Sequence, residues 1–534
     1  MNTINPGTIV YQIYPKSFAD SNNDGIGDLQ GVISKLDYLT DLGVNAIWLS
    51  PVYKSPLDDN GYDISDYQSI LPQFGTMSDL DQLIEECHSR DIKIIMDLVI
   101  NHCSDEHEWF EQSKLSKDNP YSDYFHWADG VNGKEPNKWR SAFGGSAWEY
   151  EPQRDQYYLH VFSKKQPDLN WSNPKLVEEI HTMIAWWLEK GVDGFRIDAI
   201  SFLEKPNDFH ACESDDFATV PCANKDIGHG YIKGFMDVIN RYNAFSVGEI
   251  NDIDSKGIMT YVSPEAQKFQ MAISFVPPEI EVFNNDLVAY YKSQLQTKLE
   301  IEQQGAWNTL FFSNHDKPRQ VSLFGNDAKE YWKDSAKALA VLTLTQKGTP
   351  FLYQGEEIGM TNCYYDSIAQ YNDLDTINKY NEKVLAGMDP AQALMEVSLA
   401  SRDNARTPMQ WTHGDFAGFS QVKPWLDVNP NKDTINVESQ INESTSILNH
   451  YKNLINLRKK EKTLTLGDTK LIDLDKNIVA YERKFENERF VVAVNMSTDS
   501  VSIKESTLQS MTPLMSNNYH NNKLESYGYV IYKG

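Results

Sequence analysis

Asn173-Pro-Lys-Leu-Val-Glu-Glu-Ile-His-Thr-Met-Ile-Ala-Trp-Trp-Leu-Glu-Lys-Gly191-Val-Asp-Gly-Phe-Arg196-Ile-Asp198 is the stretch that decides the fold. Asn173 can cap a helix, and Pro174 suits a first turn where no amide hydrogen is needed. Leu176, Val177, Ile180, Met183, Ile184, Trp187 and Leu188 keep helical spacing until Gly191 stops the run. Gly194 to Asp198 follows at once as a short apolar strand that ends on charge. A helix feeding directly into a buried strand is one unit of a parallel α/β architecture.

The same alternation extends in both directions. Thr8 to Pro15, Ala46 to Pro51 and Ile92 to His102 read as three earlier strands. Phe245 to Ile250, Gln270 to Phe275, Asn308 to Asp316 and Thr349 to Gly355 read as four later ones. Between them, Leu29, Val32, Ile33, Leu36 and Leu39 hold i, i+3, i+4 spacing, as do Leu80, Leu83, Ile84 and Cys87. Eight strands separated by helices predict a closed (β/α)8 barrel, the TIM-barrel architecture, rather than an open sheet. The barrel takes residues 1–102 and 173–464. Residues 103–172, rich in Trp, Tyr, Gly and Asp with weak periodicity, predict an inserted irregular domain. A second long excursion, at 360–425, follows strand eight. From 465 to 534 the helical pattern ends. There Lys470 to Leu474, Ile478 to Phe485, Arg489 to Asn495 and Tyr529 to Tyr532 predict a small antiparallel β domain.

Composition bounds the function. With 40% hydrophobic and 12% aromatic residues the chain can fill a core, which excludes disorder as its main state. Lys and Arg number 49 against 76 Asp and Glu, a net charge of −27. Such a polyanion is repelled by phosphate backbones and anionic lipid, so neither nucleic acid nor membrane is an expected partner. Mean hydropathy is −0.52, and no run approaches the roughly 18–20 apolar residues a membrane span needs. Met1 to Pro6 lacks the basic flank and apolar core of a leader. Cys87, Cys103, Cys212, Cys222 and Cys363 are odd in number and scattered, which fits neither a disulfide framework nor a metal-binding CxxC pair. The expectation is a cytoplasmic protein with free thiols, monomeric or weakly dimeric.

Chemistry in such barrels collects at the C-terminal strand ends, and four of them carry polar groups. Strand three ends Asp97-Leu-Val-Ile-Asn101-His102, strand four Arg196-Ile-Asp198, strand five Val247-Gly248-Glu249 and strand seven Ser313-Asn314-His315-Asp316. By period-2 alternation Arg196 and Asp198 point the same way, into the barrel mouth. The guanidinium is expected to lower the Asp198 pKa and keep it ionised, as a nucleophile requires. Glu249, in a drier environment, would stay protonated as a general acid. Two such carboxyls about 5–5.5 Å apart support double displacement with retention at a sugar anomeric carbon. Asp316 would hold the charge of the oxocarbenium-like transition state, and His102 and His315 would bond sugar hydroxyls.

These strings, in this order, resemble glycoside hydrolase family 13, the α-amylase family, over nearly the whole chain. The resemblance implies Asp198 as nucleophile, Glu249 as acid/base and Asp316 as transition-state stabiliser, with Arg196, His102 and His315 in the substrate site. Gln166-Pro-Asp168-Leu-Asn170, Asp59-Asn-Gly-Tyr62-Asp63 and Ser401-Arg402-Asp-Asn-Ala-Arg406-Thr-Pro-Met-Gln-Trp411 are similar to the oligo-1,6-glucosidase subfamily. By that resemblance Tyr62 stacks on the terminal glucose and Asp59 and Arg406 grip its hydroxyls. Phe143, Phe162 and Gln166 complete the wall, and Arg402 joins the substrate-binding set. A pocket closed beyond that glucose implies exo-action on a small oligosaccharide.

Asp20-Ser-Asn22-Asn-Asp24-Gly-Ile26-Gly-Asp28 places oxygen donors at alternate positions, with Gly25 allowing a sharp turn. This suits a Ca²⁺ loop, although Gly31 stands where a full EF-hand has Glu and a strand precedes the loop. The resemblance implies a structural Ca²⁺ or Mg²⁺ here, with no organic cofactor; an Asn/Asp-rich turn without an ion is the alternative. Ala199, after the nucleophile, leans the expected specificity towards α-1,4 links. By the resemblance α-1,6-cleaving relatives usually carry Val there, but one methyl group is worth only about 1–3 kcal/mol. The alternative is an oligo-1,6-glucosidase or dextran glucosidase. Trehalose-6-phosphate hydrolase is disfavoured by the acidic Cys212-to-Asp216 segment. Sucrose isomerase is disfavoured by the missing Arg-Leu-Asp-Arg-Asp string, and an inactive binding subunit by the intact carboxylate set.

Overall fold

The computed structural model describes residues 5–205, 209, 226–250, 255–274, 286–503, 508 and 511–534. Its centre is an eight-stranded sheet: β1 Val10–Ile13, β2 Ala46–Leu49, β3 Lys93–Leu98, β4 Gly194–Ile197, β5 Phe245–Ile250, β6 Met271–Ser274, β7 Thr309–Leu310 and β8 Thr349–Tyr353. The strands pair in parallel in the order β6-β5-β4-β3-β2-β1-β8-β7. Between β6 and β7 the ring is bridged by a side chain, Thr309 Oγ1 donating to the Ala272 carbonyl at 2.7 Å.

Alternation along each strand divides two cores. Val10, Ala46, Trp48, Ile95, Val247, Met271, Ile273 and Phe351 fill the barrel interior. Their neighbours Tyr11, Ile47, Ile94, Met96 and Phe195 belong to the larger core beneath the surrounding helices. The helix Pro174–Glu189 forms as its sequence dictates: Asn173 accepts from the Lys175 and Leu176 amides, and Leu176, Ile180, Met183, Ile184, Trp187 and Leu188 are buried. It delivers the chain to Gly194, where a Cβ would stand 2.2 Å from the Phe245 carbonyl oxygen. Only glycine lets β4 and β5 approach this closely.

The inserted segment is more regular than its composition suggests. Trp127–Ala128, Trp148–Glu151 and Gln156–Leu159 make a small antiparallel sheet, the last strand in the middle, over Trp139 and Ala147. The excursion after β8 contains the helices Leu374–Leu385, Pro390–Ala400 and Asp403–Arg406. A C-terminal antiparallel sheet combines Asp468–Leu471, Ile478–Phe485, Glu488–Asn495, Val501–Ser502, Pro513–His520 and Lys523–Lys533. Pro513–His520 escapes sequence reading because none of its side chains is buried. Buried Arg483, on Ile478–Phe485, ties this sheet to the barrel by donating to the Thr345 carbonyl at 3.1 Å. Cys87, Cys103 and Cys363 are buried free thiols, while Cys212, Cys222 and the acidic segment between 212 and 216 lie outside the described residues. Among the described residues no helix is long and apolar enough to cross a membrane.

After β8 the buried pair Glu356 and Glu357 supports the β7 end: Ser313 Oγ donates to Glu356 at 2.6 Å, and the Tyr11 and Tyr38 hydroxyls donate to Glu357 at 2.7 and 2.8 Å. Burial, with Glu357 alongside, pushes the Glu356 carboxyl from 4.5 up to about 8. The native state therefore binds a proton that the unfolded chain releases, so this group's stabilisation is lost as pH rises through about 8. Glu356→Gln should flatten that loss. In calorimetry from pH 5 to 9 the variant is expected to lose less Tm than wild type, and parallel curves would contradict the assignment.

Candidate active site

One guanidinium organises the barrel mouth. Arg196, almost wholly buried on β4, places Nη1 2.7 Å from Asp97 Oδ1 on β3 and 2.6 Å from Asp198 Oδ1, while Nη2 meets Glu249 on β5. Neighbouring strands put these groups side by side, since Asp97 pairs with Arg196 in register and Gly248 with Ile197. Asp97 is further held by Trp48 Nε1 at 3.1 Å and by the Tyr62 hydroxyl at 2.9 Å. It is thereby committed to structure, leaving Asp198 and Glu249 as the carboxyls that face the mouth.

Asp198 and Glu249 take the two terminal nitrogens of one guanidinium, and the Ala199 amide reaches Glu249 Oε2 at 3.3 Å. Ala199 adopts φ 47°, ψ 35°, a left-handed conformation uncommon for a residue with a Cβ. That turn aims its amide back at Glu249 just after the strand ends. The electrostatics differ from the sequence expectation. Burial, followed by Glu249 and Asp97 nearby, raises the Asp198 carboxyl well above the usual range against the pull of Arg196. Burial and the neighbouring carboxylates thus oppose the guanidinium at this carboxyl. Nor is Glu249 in a drier setting, because the two side chains are equally buried at 11% exposure.

Asp316 behaves oppositely. Burial alone would raise it, but His315, Arg406 and Arg402 outweigh burial and hold its carboxyl well below the ordinary value. His315 Nε2 lies 2.8 Å from Oδ2, Arg406 Nη2 2.9 Å from Oδ1 and Arg402 Nη1 3.6 Å from the same oxygen. Arg402 also reaches Asp59 at 3.1 Å and Asp373 at 2.7 Å, and its guanidinium lies over the Phe143 ring at 4.9 Å. Phe162 packs between Phe143 and His102. Gln166 Nε2 donates to Asp59 Oδ2 at 3.1 Å and stands 3.2 Å from His102 Nε2, which also meets the Tyr62 carbonyl at 3.1 Å. Tyr62 stacks on His315 with centroids 5.2 Å apart and planes 4° apart. Both His102 nitrogens therefore already have protein partners, whereas His315 Nε2, beside Asp316, has no hydrogen-bond partner among the described residues. Burial lowers His102 to about 3, so it is a neutral ring here.

Every residue assigned to the pocket from sequence falls into this one connected network. Three of its supports were not assigned there. Asp373 caps the helix Leu374–Leu385 and anchors Arg402; its only sequence signal is that of an ordinary cap. Asp63 collects the Asp58 and Asp59 amides and Ser55, setting the Asp59 turn, and burial lifts it to about 7. Buried Lys205 joins Asp168 and Asn101, each at 3.0 Å, across the inserted domain and β3. Asp63 and Asp168 stood in quoted motifs, whereas nothing local marks Lys205.

The Asp20-to-Asp28 loop is separate from this network. Asp20 accepts from the Asn22, Asn23 and Gly25 amides, Asn22 from Asp24 and Asp24 from Ile26. Gly25 has φ +90°, and a Cβ there would stand 2.5 Å from the Lys423 carbonyl. Asp28 is an N-cap, accepting from Gly31 at 2.6 Å and from Ser21. The donors are hard oxygens suited to Ca²⁺ or Mg²⁺. Among the described residues no three His, Cys, Asp or Glu side chains converge as a metal cluster, so a cation here would draw on Asn22 and the Ile26 carbonyl as well.

The alpha-amylase catalytic-domain family model matches residues 12–467. An oligo-1,6-glucosidase from Parageobacillus thermoglucosidasius is 46% identical over 505 residues, covering 92% of this chain and 90% of its own. One from Bacillus cereus is 45% identical over 529 residues, covering 96% and 94%. Among solved structures, a mutant trehalose-6-phosphate hydrolase from Bacillus licheniformis is 37% identical with a TM-score of 0.91, covering 99% of both chains.

Proposed function

Because the chain belongs to the alpha-amylase family of glycoside hydrolases, we propose that it is an exo-acting, retaining α-glucosidase acting on short α-1,6-linked glucooligosaccharides. Support for the mechanism comes from Asp198 and Glu249 sharing the two ends of one guanidinium, Arg196 Nη1 standing 2.6 Å from Asp198 and Nη2 meeting Glu249. Retaining pairs stand about 5–5.5 Å apart and inverting pairs about 6.5–9.5 Å, and two carboxyls held by one guanidinium suit the closer spacing. In the proposed cycle Glu249 gives a proton to the glycosidic oxygen as Asp198 attacks the anomeric carbon. The bond to the leaving sugar breaks and a glucosyl ester forms. Water then attacks the ester, Glu249 takes its proton, Asp198 leaves, and α-glucose departs. Asp316, kept anionic, faces the positive charge that builds in both transition states. Asp59, Arg402 and Arg406 form the closed end that admits a single terminal ring.

The α-1,6 assignment rests on the oligo-1,6-glucosidase names of the relatives. The α-1,4 lean drawn from Ala199 has no support among them, but it remains a specific observation for a second reading. Maltose, isomaltose, panose, sucrose and trehalose 6-phosphate assayed side by side decide between them. Isomaltose is expected to exceed maltose in kcat/KM, against the opposing lean of about 1–3 kcal/mol that a methyl-scale difference at Ala199 can supply. Preference for maltose would establish the second reading, and preference for trehalose 6-phosphate or sucrose would overturn both.

The same proposal includes a structural Ca²⁺ or Mg²⁺ held by Asp20, Asn22, Asp24, the Ile26 carbonyl and Asp28. An ion at a hundredfold excess over Kd adds about 2.7 kcal/mol. Dialysis against EDTA should lower Tm by several degrees and added Ca²⁺ or Mg²⁺ should restore it. An unchanged melting curve would leave the loop as an Asn/Asp turn.

A further inference from the structure

We propose that Gln12 is a positioning residue that locks His315 in the Nε2–H tautomer, so that the imidazole presents its one proton on the side of Asp316. Gln12 lies on β1, across the barrel mouth from Asp198, and is buried with His315. Its amide nitrogen stands 2.7 Å from His315 Nδ1 and 3.3 Å from Ser50 Oγ. An amide nitrogen carries two hydrogens and no acceptor. One hydrogen goes to Ser50 and the other into the Nδ1 lone pair. Nδ1 therefore carries no proton, and the ring hydrogen sits on Nε2, 2.8 Å from Asp316 Oδ2. The ring is kept in plane by Tyr62, stacked at 5.2 Å, and by Tyr14, stacked at 6.0 Å, with Trp48 edge-on at 5.9 Å. The opposite tautomer would turn a lone pair towards the Asp316 carboxylate and hydrogen against hydrogen at Gln12. Gln12 thus acts on Asp316 through His315, as an orienting partner acts on a histidine whose second nitrogen does the work.

This inference rests on the proposed role of Asp316, and its test separates the two. The probe is the full-length protein with ¹⁵N-labelled histidine, the His315 resonance being assigned by its loss in His315→Asn. Wild type is expected to show an unprotonated Nδ1 and a protonated Nε2. In Gln12→Glu the carboxylate accepts instead of donating, so Nδ1 should gain a hydrogen. Gln12→Met, of similar size without a donor, should lose the lock and lower kcat about 10–100-fold, the usual cost of removing an orienting partner. KM should move little, because Gln12 is not placed against the sugar. A protonated Nδ1 in wild type would overturn the inference whatever the activities. Gln12→Met with unchanged kcat would overturn it as well. Full activity in Asp316→Asn would instead overturn the mechanistic reading while leaving the tautomer assignment standing.

Discussion

Asp198→Ala is expected to lower kcat by about 10⁴–10⁶-fold, the scale seen when a covalent nucleophile is removed, while the protein stays folded. The carboxyl is the group proposed to bond to the anomeric carbon, and no neighbour can replace it. Asp97 is held by Arg196, Trp48 and Tyr62, and Asp316 by His315 and Arg406. Removing Asp198 also leaves Arg196 two carboxyls, so the buried cation stays compensated and little stability should be lost. Azide supplied to the variant should attack from the vacated face and yield β-glucosyl azide. Circular dichroism, kcat and the azide product can be read from one preparation. Residual turnover within about tenfold of wild type would remove Asp198 from the mechanism.

Arg196→Met is expected to damage the fold as well as the chemistry. It deletes the charge that Asp97, Asp198 and Glu249 share in a buried site. Removing one partner of a buried ion pair costs about 3–5 kcal/mol, because the other charge stays behind unsolvated. The sign with pH follows from Asp198, whose carboxyl burial already raises against Arg196. Without the guanidinium it should rise further. The stabilisation from the bound proton is then present at low pH and lost as pH rises through the new value. The Tm deficit of the variant should therefore be smaller at pH 5 than at pH 8. A deficit that shrinks towards pH 8 would mean that the guanidinium serves packing rather than charge.

Where one period dominated, the sequence was legible. The helix Pro174–Glu189 shows its cap, its apolar stripe and its stop in the letters themselves, and the strands around it alternate inward and outward as the barrel demands. Pro513–His520 was not legible, since without a buried face a strand has no pattern. The small sheet inside the inserted domain was hidden by composition, its strands running only two to four residues each. At the site, residue identities were readable because charge at the end of a buried strand is conspicuous. Their electrostatic states were not. Whether burial or Arg196 decides Asp198 depends on depth and on like charges from two other strands, and none of these is local in sequence. Asp373 and Gln12 were missed for the same reason: each acts through a contact that is not local, Asp373 on Arg402 29 residues away and Gln12 on His315 303 residues away.

If Asp198 and Glu249 act together by double displacement, the anomer first released keeps the α configuration of the substrate. Isomaltose, or maltose if that proves the better substrate, can be hydrolysed at high enzyme concentration and followed by ¹H NMR before mutarotation. α-Glucose should appear first, with the β anomer growing only at the rate of free mutarotation. β-Glucose as the first product would rule out double displacement at Asp198.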